Sequence, residues 1–146
     1  MQSSSPRTSS DLALLAMRVM IGVVFVFHGS QKAFGLFDGV GFEGFKGWIS
    51  SLNVPMPAIS AALAVGAELL GGLAFLTGFA MRLMSLPMAF TMLVAITQVH
   101  WKNGFYNNDP AKHGYEFPLT LMVMILGLAL LGPGRFALRT GKQKAR

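Results

Sequence analysis

The sequence predicts an all-α integral membrane bundle. It has four transmembrane helices, both termini in the cytoplasm, and a short amphipathic helix in the interface between the first two spans. Three observations carry this. Four apolar stretches match, or nearly match, the roughly 20 residues a helix needs to cross the hydrocarbon layer. Only 12% of the residues are charged and 53% are hydrophobic, whereas a soluble domain carries about 25% charged residues. At 146 residues the chain has too much surface for so few charges to cover in water. Finally, the net charge of +6 falls wholly on one side once the spans are drawn.

Residues 1–11 read as a flexible cytoplasmic lead, 12–138 as the membrane domain and 139–146 as a basic cytoplasmic tail. The first span, 12–33, holds one charge within its apolar stretch, Arg18. Its position and Ser-rich approach suggest a secretory leader, but Phe27-His28-Gly29-Ser30 offers no small-x-small cleavage site, so a retained helix is expected. Beyond it, Phe42, Phe45, Ile49 and Leu52 recur at helical spacing beside Trp48, while Glu43, Lys46 and Ser50 fall elsewhere. That pattern is an amphipathic helix lying in the interface, ended by Pro55 and Pro57. The second span, 59–79, contains Glu68. The third, 83–101, has Pro87 near its start and Gln98 near its end. The fourth, 115–132, has an uncharged apolar stretch with Tyr115 as an interfacial residue. The runs are apolar nearly all round, and they are too long and too poorly alternating for strands.

Four spans put the termini and the loop between spans two and three on one side. Arg7, Arg82, Arg135, Arg139, Lys142, Lys144 and Arg146 lie there against Asp11 alone. On the other side Lys32, Lys46, Lys102 and Lys112 balance Asp38, Glu43, Asp109 and Glu116. The positive face is cytoplasmic by the positive-inside rule. The basic tail then touches anionic lipid head groups, and no nucleic-acid partner is needed to explain it. The chain has no cysteine, which excludes disulfides, thiolate metal sites, cysteine-ligated iron–sulfur clusters and a thiol redox cycle within it.

Two charges remain inside the spans. Arg18 lies about 9 Å deep, counted at 1.5 Å per residue. A charge at such depth costs about 2.5–3.5 kcal/mol on insertion scales, nearly as much as the aliphatic and phenylalanine residues of the span supply. Arg18 is therefore expected to face the bundle interior and pair with Glu68, directly or through water, either as a packing device or as part of a site.

A second polar group gathers at the outer ends of the spans. His28, His100 and His113 lie there with Lys32, Gln98, Lys102 and Glu116. The spacing gives no metal motif, neither HxxxH nor ExxH, so no metal site is expected. Each histidine alone reads as an interfacial hydrogen-bonded side chain. Together they suit a proton path or a quinone head group, which needs an apolar slot with a few hydrogen-bonding groups.

The order of these features resembles the DoxX family of small bacterial and archaeal inner-membrane proteins. The matching residues are Arg18 with His28-Gly29-x-x-Lys32, Glu68-x-x-Gly71-Gly72, Gly78 followed by Arg82, His100 with Gly104-Phe105, Gly114-Tyr115-Glu116, and Gly132-Pro133-Gly134-Arg135. The family usually continues with serine–leucine–aspartate, whereas this chain reads Phe136-Ala137-Leu138-Arg139. The resemblance implies a four-helix fold in the bacterial inner membrane and a link to respiratory, sulfur or redox-stress oxidoreductase complexes. With no cysteine and no bis-histidine haem arrangement within a span, the chain carries no haem or iron–sulfur centre of its own. Three functions follow in order. The first is a subunit of a quinone-linked oxidoreductase that needs a partner subunit, with Arg18, His28, Lys32, Glu68 and His100 lining a quinone or proton path. The second is a non-catalytic anchor for a partner enzyme. The third is a small-molecule permease, which would have to form a homo-oligomer to line a path with so few spans.

Overall fold

The computed structural model describes residues 5–109 and 112–138. Helix α1 spans Ser5–Phe34, α2 Gly41–Ser51, α3 Pro57–Thr77, α4 Met81–Val94 and α5 Glu116–Leu131. A π-helical segment, Ala95–His100, and a 3₁₀ turn, Trp101–Asn103, continue α4 without a break. No strand occurs among the described residues. The lead expected to be flexible up to residue 11 is already helical from Ser5, where Pro6 sits in the first turn and needs no hydrogen-bond acceptor for its nitrogen. The tail expected at 139–146 lies outside the described residues.

Three helical stretches are long and apolar enough to cross a membrane: Thr8–Phe34, Pro57–Thr77 and Met81–Asn103. Helix α5 is apolar but has 16 residues, about 24 Å of rise against a hydrocarbon layer of about 30 Å. The outward surface is apolar along every one of them. Met20, Leu63, Leu70, Leu83, Leu86, Phe90, Val123 and Leu130 are all more than half exposed. So large an uncovered apolar surface suits lipid and not water.

The bundle closes around Ile21 and Phe25 of α1, Phe75 of α3, Met88 and Met92 of α4, and Leu121, Ile125 and Leu128 of α5. Helices α1 and α3 approach closely where glycines face each other. A methyl group at Gly22 would lie 2.9 Å from the Gly72 carbonyl oxygen, and one at Gly72 2.9 Å from the Val26 nitrogen. This is the small-residue seam that lets membrane helices pack backbone to backbone. The amphipathic helix forms as the spacing predicts. Phe45 and Ile49 of α2 are buried against Ala61 and Val65 of α3, while Trp48 is 45% exposed.

The two ends of the bundle differ. One is closed by the segment that follows α5. The last carbonyls of a helix have no partner within it; here one arginine supplies a donor to those of α5 and a second holds carbonyls of the segment beyond it. Arg82 donates from Nε to Ala129 O at 3.0 Å. Arg18 donates from Nη1 to Pro133 O at 2.7 Å and from Nη2 to Phe136 O at 2.9 Å. Arg135 N donates to Asp11 Oδ1 at 3.1 Å, and Leu138 N to Thr77 O at 2.8 Å. Gly78, at φ 77°, turns the chain between α3 and α4 in contact with Arg18. The opposite end is open.

Candidate functional site

The open end holds a cavity of about 480 Å³, within the range of sites that take drug-sized ligands. Helix α1 contributes His28 and Lys32, which share a face because they are four residues apart. Helix α3 contributes Glu68 and helix α4 Met92. The π segment brings Ala95 and His100, the loop brings Tyr106, Asn107, His113 and Gly114, and α5 brings Glu116, Phe117 and Leu121. Val24 and Phe25 complete the apolar wall.

The π segment explains how His100 reaches this wall. Met92 and His100 are eight residues apart, which in an α-helix leaves them about 80° out of line. The wider turns of the π segment take back part of that rotation, and such segments recur at functional sites. His100 Nδ1 lies 2.8 Å from His113 O. Since a carbonyl can only accept, Nδ1 carries the hydrogen there. Asn103 Nδ2 donates to the same oxygen at 2.9 Å, and Tyr115 N donates to Gly104 O at 3.1 Å. Trp101 and Phe105 both pack on the Tyr115 ring. The loop is thus folded down over the ends of α4 and α5 by its own hydrogen bonds and rings.

At the floor, Lys32 Nζ is ion-paired with Glu68 Oε1 and lies 5.1 Å above the centre of the Phe45 ring. Glu68 is 1% exposed. Its Oε2 has no hydrogen-bond partner among the described residues. The lysine side chain keeps 28% of its surface.

The expected pair of Arg18 with Glu68 does not form. Arg18 is 1% exposed, but its guanidinium holds Pro133 and Phe136 at the closed end. The reason is helix register. Helices α1 and α3 are antiparallel with Gly22 opposite Gly72, so Arg18 is level with Gly78. The Glu68 side chain is level with Gly29, eleven residues further along α1, about 16 Å away. The acid therefore meets Lys32. Of the outer polar group, His28, Lys32, His100, His113 and Glu116 come together at the cavity, and Gln98 and Lys102 do not. Both lie two residues from His100, on the far side of the helix, and are exposed. Of the residues expected to line a quinone or proton path, His28, Lys32, Glu68 and His100 line the cavity and Arg18 does not; Tyr106 and Asn107, in a loop with no periodic signal, are not legible in the sequence. Among the described residues no three histidine, aspartate or glutamate side chains are gathered so as to hold a metal ion.

The matches to known proteins run through this site. The DoxX family model fits residues 13–101, a stretch that contains Arg18, His28, Lys32, Glu68 and His100. The chain belongs to the DoxX family. It is a membrane protein on that ground and on the apolar character of its helices. Among its relatives, CatD of Bacillus subtilis (strain 168), a protein named provisionally as an oxidoreductase, is 30% identical over 131 residues, covering 89% of this chain and 87% of that one. The inner membrane protein YphA of Escherichia coli (strain K12) is 26% identical over 127 residues, covering 86% of each. No solved structure matches this DoxX chain.

Proposed function

We propose that this DoxX chain is the membrane subunit of a quinone-linked oxidoreductase or redox-stress complex, with the open-end cavity as its quinone site. One observation carries the reading. A cavity of about 480 Å³ combines an apolar wall with an ion pair on a buried acid, histidines and a carboxylate oxygen that has no hydrogen-bond partner among the described residues. A quinone ring needs a flat apolar slot, and its two oxygens need hydrogen-bonding groups that can also exchange protons with water. Val24, Phe25, Met92 and Leu121 supply the slot, while Lys32 with Glu68 and His100 supply the polar groups. The name of CatD supports the reaction class.

Quinone chemistry moves two electrons and two protons. The chain supplies proton-exchanging side chains, and a partner subunit with its own redox centre supplies or takes the electrons. In this reading α5, extended by Tyr115 and Gly132, is a fourth span, and the termini face the cytoplasm of a bacterial cell. The one-sided positive charge supports that orientation, and the name of YphA supports the inner membrane. The cavity then opens to the outer side at interface depth, where α2 and its Trp48 anchor the chain.

The test is to extract the protein with its surrounding lipid in a styrene–maleic acid copolymer and quantify the quinone held per chain. Wild type is expected to hold quinone above the level of the bulk lipid. Ala95→Phe, which fills the slot, is expected to fall to that level. Equal quinone content in the two would refute the site.

A further inference from the structure

We infer that the cavity selects the reduced, hydroxyl-bearing form of its ligand: it is built for a quinol or a related phenol, and Glu68 Oε2 accepts the hydroxyl hydrogen. The inference rests on the quinone-site reading and deepens it by naming the redox form that binds.

The argument counts donors and acceptors. Glu68 is 1% exposed and lines the cavity. Its Oε1 is taken by Lys32. Its Oε2 has no partner among the described residues. An ionised carboxylate offers acceptors only, and a buried acceptor without a donor is an unfavourable arrangement that a ligand can relieve. An oxidised quinone also offers acceptors only. Its carbonyl against Oε2 would set two oxygen lone pairs face to face. A phenolic hydroxyl supplies the missing donor.

His100 adds a second acceptor. Its Nδ1 is 2.8 Å from His113 O and donates to it, so in the tautomer this bond selects Nε2 is the acceptor. The side chains of His28, Tyr106, Asn107 and His113 also line the cavity and can donate to a carbonyl, but a carbonyl held by them leaves Oε2 without its donor; Lys32, an ammonium, can donate too. It is already held between Glu68 and the Phe45 ring, so its charge is directed to the floor of the cavity. Binding of the hydroxyl involves no electron transfer, and the hydrogen stays on the ligand oxygen.

The experiment compares short-chain ubiquinol, short-chain ubiquinone and the dimethyl ether of that quinol. Each is titrated under anaerobic conditions into the full-length chain in lipid nanodiscs. Affinity is read from quenching of the tryptophans against a nanodisc blank. The quinol is expected to bind about tenfold or more tightly than the quinone, the size of one hydrogen bond to a charged acceptor. The dimethyl ether, which keeps the ring and loses the donors, is expected to bind no better than the quinone. Glu68→Gln is expected to bring quinol and quinone within about threefold of each other, provided circular dichroism shows the fold retained; the three ligands on the wild type decide the matter without it. Equal or tighter quinone binding by the wild type overturns the inference and leaves the quinone site standing. Ether binding as tight as quinol overturns it in the same way. Absence of binding by all three ligands overturns both.

Discussion

Removing Lys32 should damage this protein more than removing the acid it pairs with. In Lys32→Met the Glu68 carboxylate, 1% exposed, loses the partner of Oε1 while Oε2 has none among the described residues. Breaking a buried pair from one side costs about 3–5 kcal/mol, because a charge is left uncompensated. In Glu68→Gln the stranded group is the lysine. Its side chain is 28% exposed, and its four-carbon stem can carry the ammonium up to the mouth. The loss is then that of one charge-assisted hydrogen bond, about 1.5–3 kcal/mol. The double variant Lys32→Met with Glu68→Gln removes both charges and should be more stable than Lys32→Met alone. The assay is reversible unfolding by sodium dodecyl sulfate in mixed micelles, followed by the fluorescence of Trp48 and Trp101. The reasoning is refuted if Glu68→Gln costs as much as Lys32→Met, or if the two single losses simply add.

Other outcomes follow from the same geometry. Arg18→Met breaks two hydrogen bonds to Pro133 O and Phe136 O and should lose about 3 kcal/mol or more in the same unfolding assay. The exchange Arg18→Glu with Glu68→Arg should remain as unstable as the worse single variant, since the two residues lie about 16 Å apart along the bundle; rescue would contradict the register. Gly72→Ala forces a methyl group to 2.9 Å from Val26 N and should cost about 1–3 kcal/mol. Gly66→Ala, with nothing within 4 Å of the added carbon, should be neutral or stabilise by up to about 1 kcal/mol in thermal unfolding. The chain has no cysteine, so single cysteines report topology cleanly. Asn53→Cys should react in intact cells with a membrane-impermeant maleimide and Phe79→Cys only after lysis, whereas the reverse pattern would invert the proposed orientation.

Hydropathy and charge made the helices legible because burial in lipid imposes length and composition directly. The apolar helices Pro57–Thr77 and Met81–Asn103 lie within two residues of the stretches expected at 59–79 and 83–101. The amphipathic helix was legible from Phe42, Phe45 and Ile49 alone. What the sequence left open was which polar residue meets which. Charge complementarity and depth alone pointed Arg18 at Glu68, but depth counted from each span end says nothing of how two helices slide past each other. That register is set by Gly22 against Gly72 and by Gly29 against the side chains of Leu69 and Glu68, a packing fact that composition does not carry. Arg18 found its partners more than a hundred residues away, in backbone carbonyls that no sequence pattern marks as acceptors. The histidines were legible as a group because the span ends place them at one end. Gln98 and Lys102 fell out of the group because a π segment and a 3₁₀ turn decide which side of the chain faces inward there.

The most direct test of the central claim, that the open-end cavity is a quinone site, is photo-crosslinking with an azidoquinone in nanodiscs and mapping of the labelled residues by mass spectrometry. The account predicts labels on the cavity wall, at Val24, His28, Met92, Phe117 or Leu121, and their loss when unlabelled short-chain quinol is present in excess. Labels confined to lipid-facing residues such as Leu63, Leu70 and Leu83, unchanged by the competitor, would contradict it.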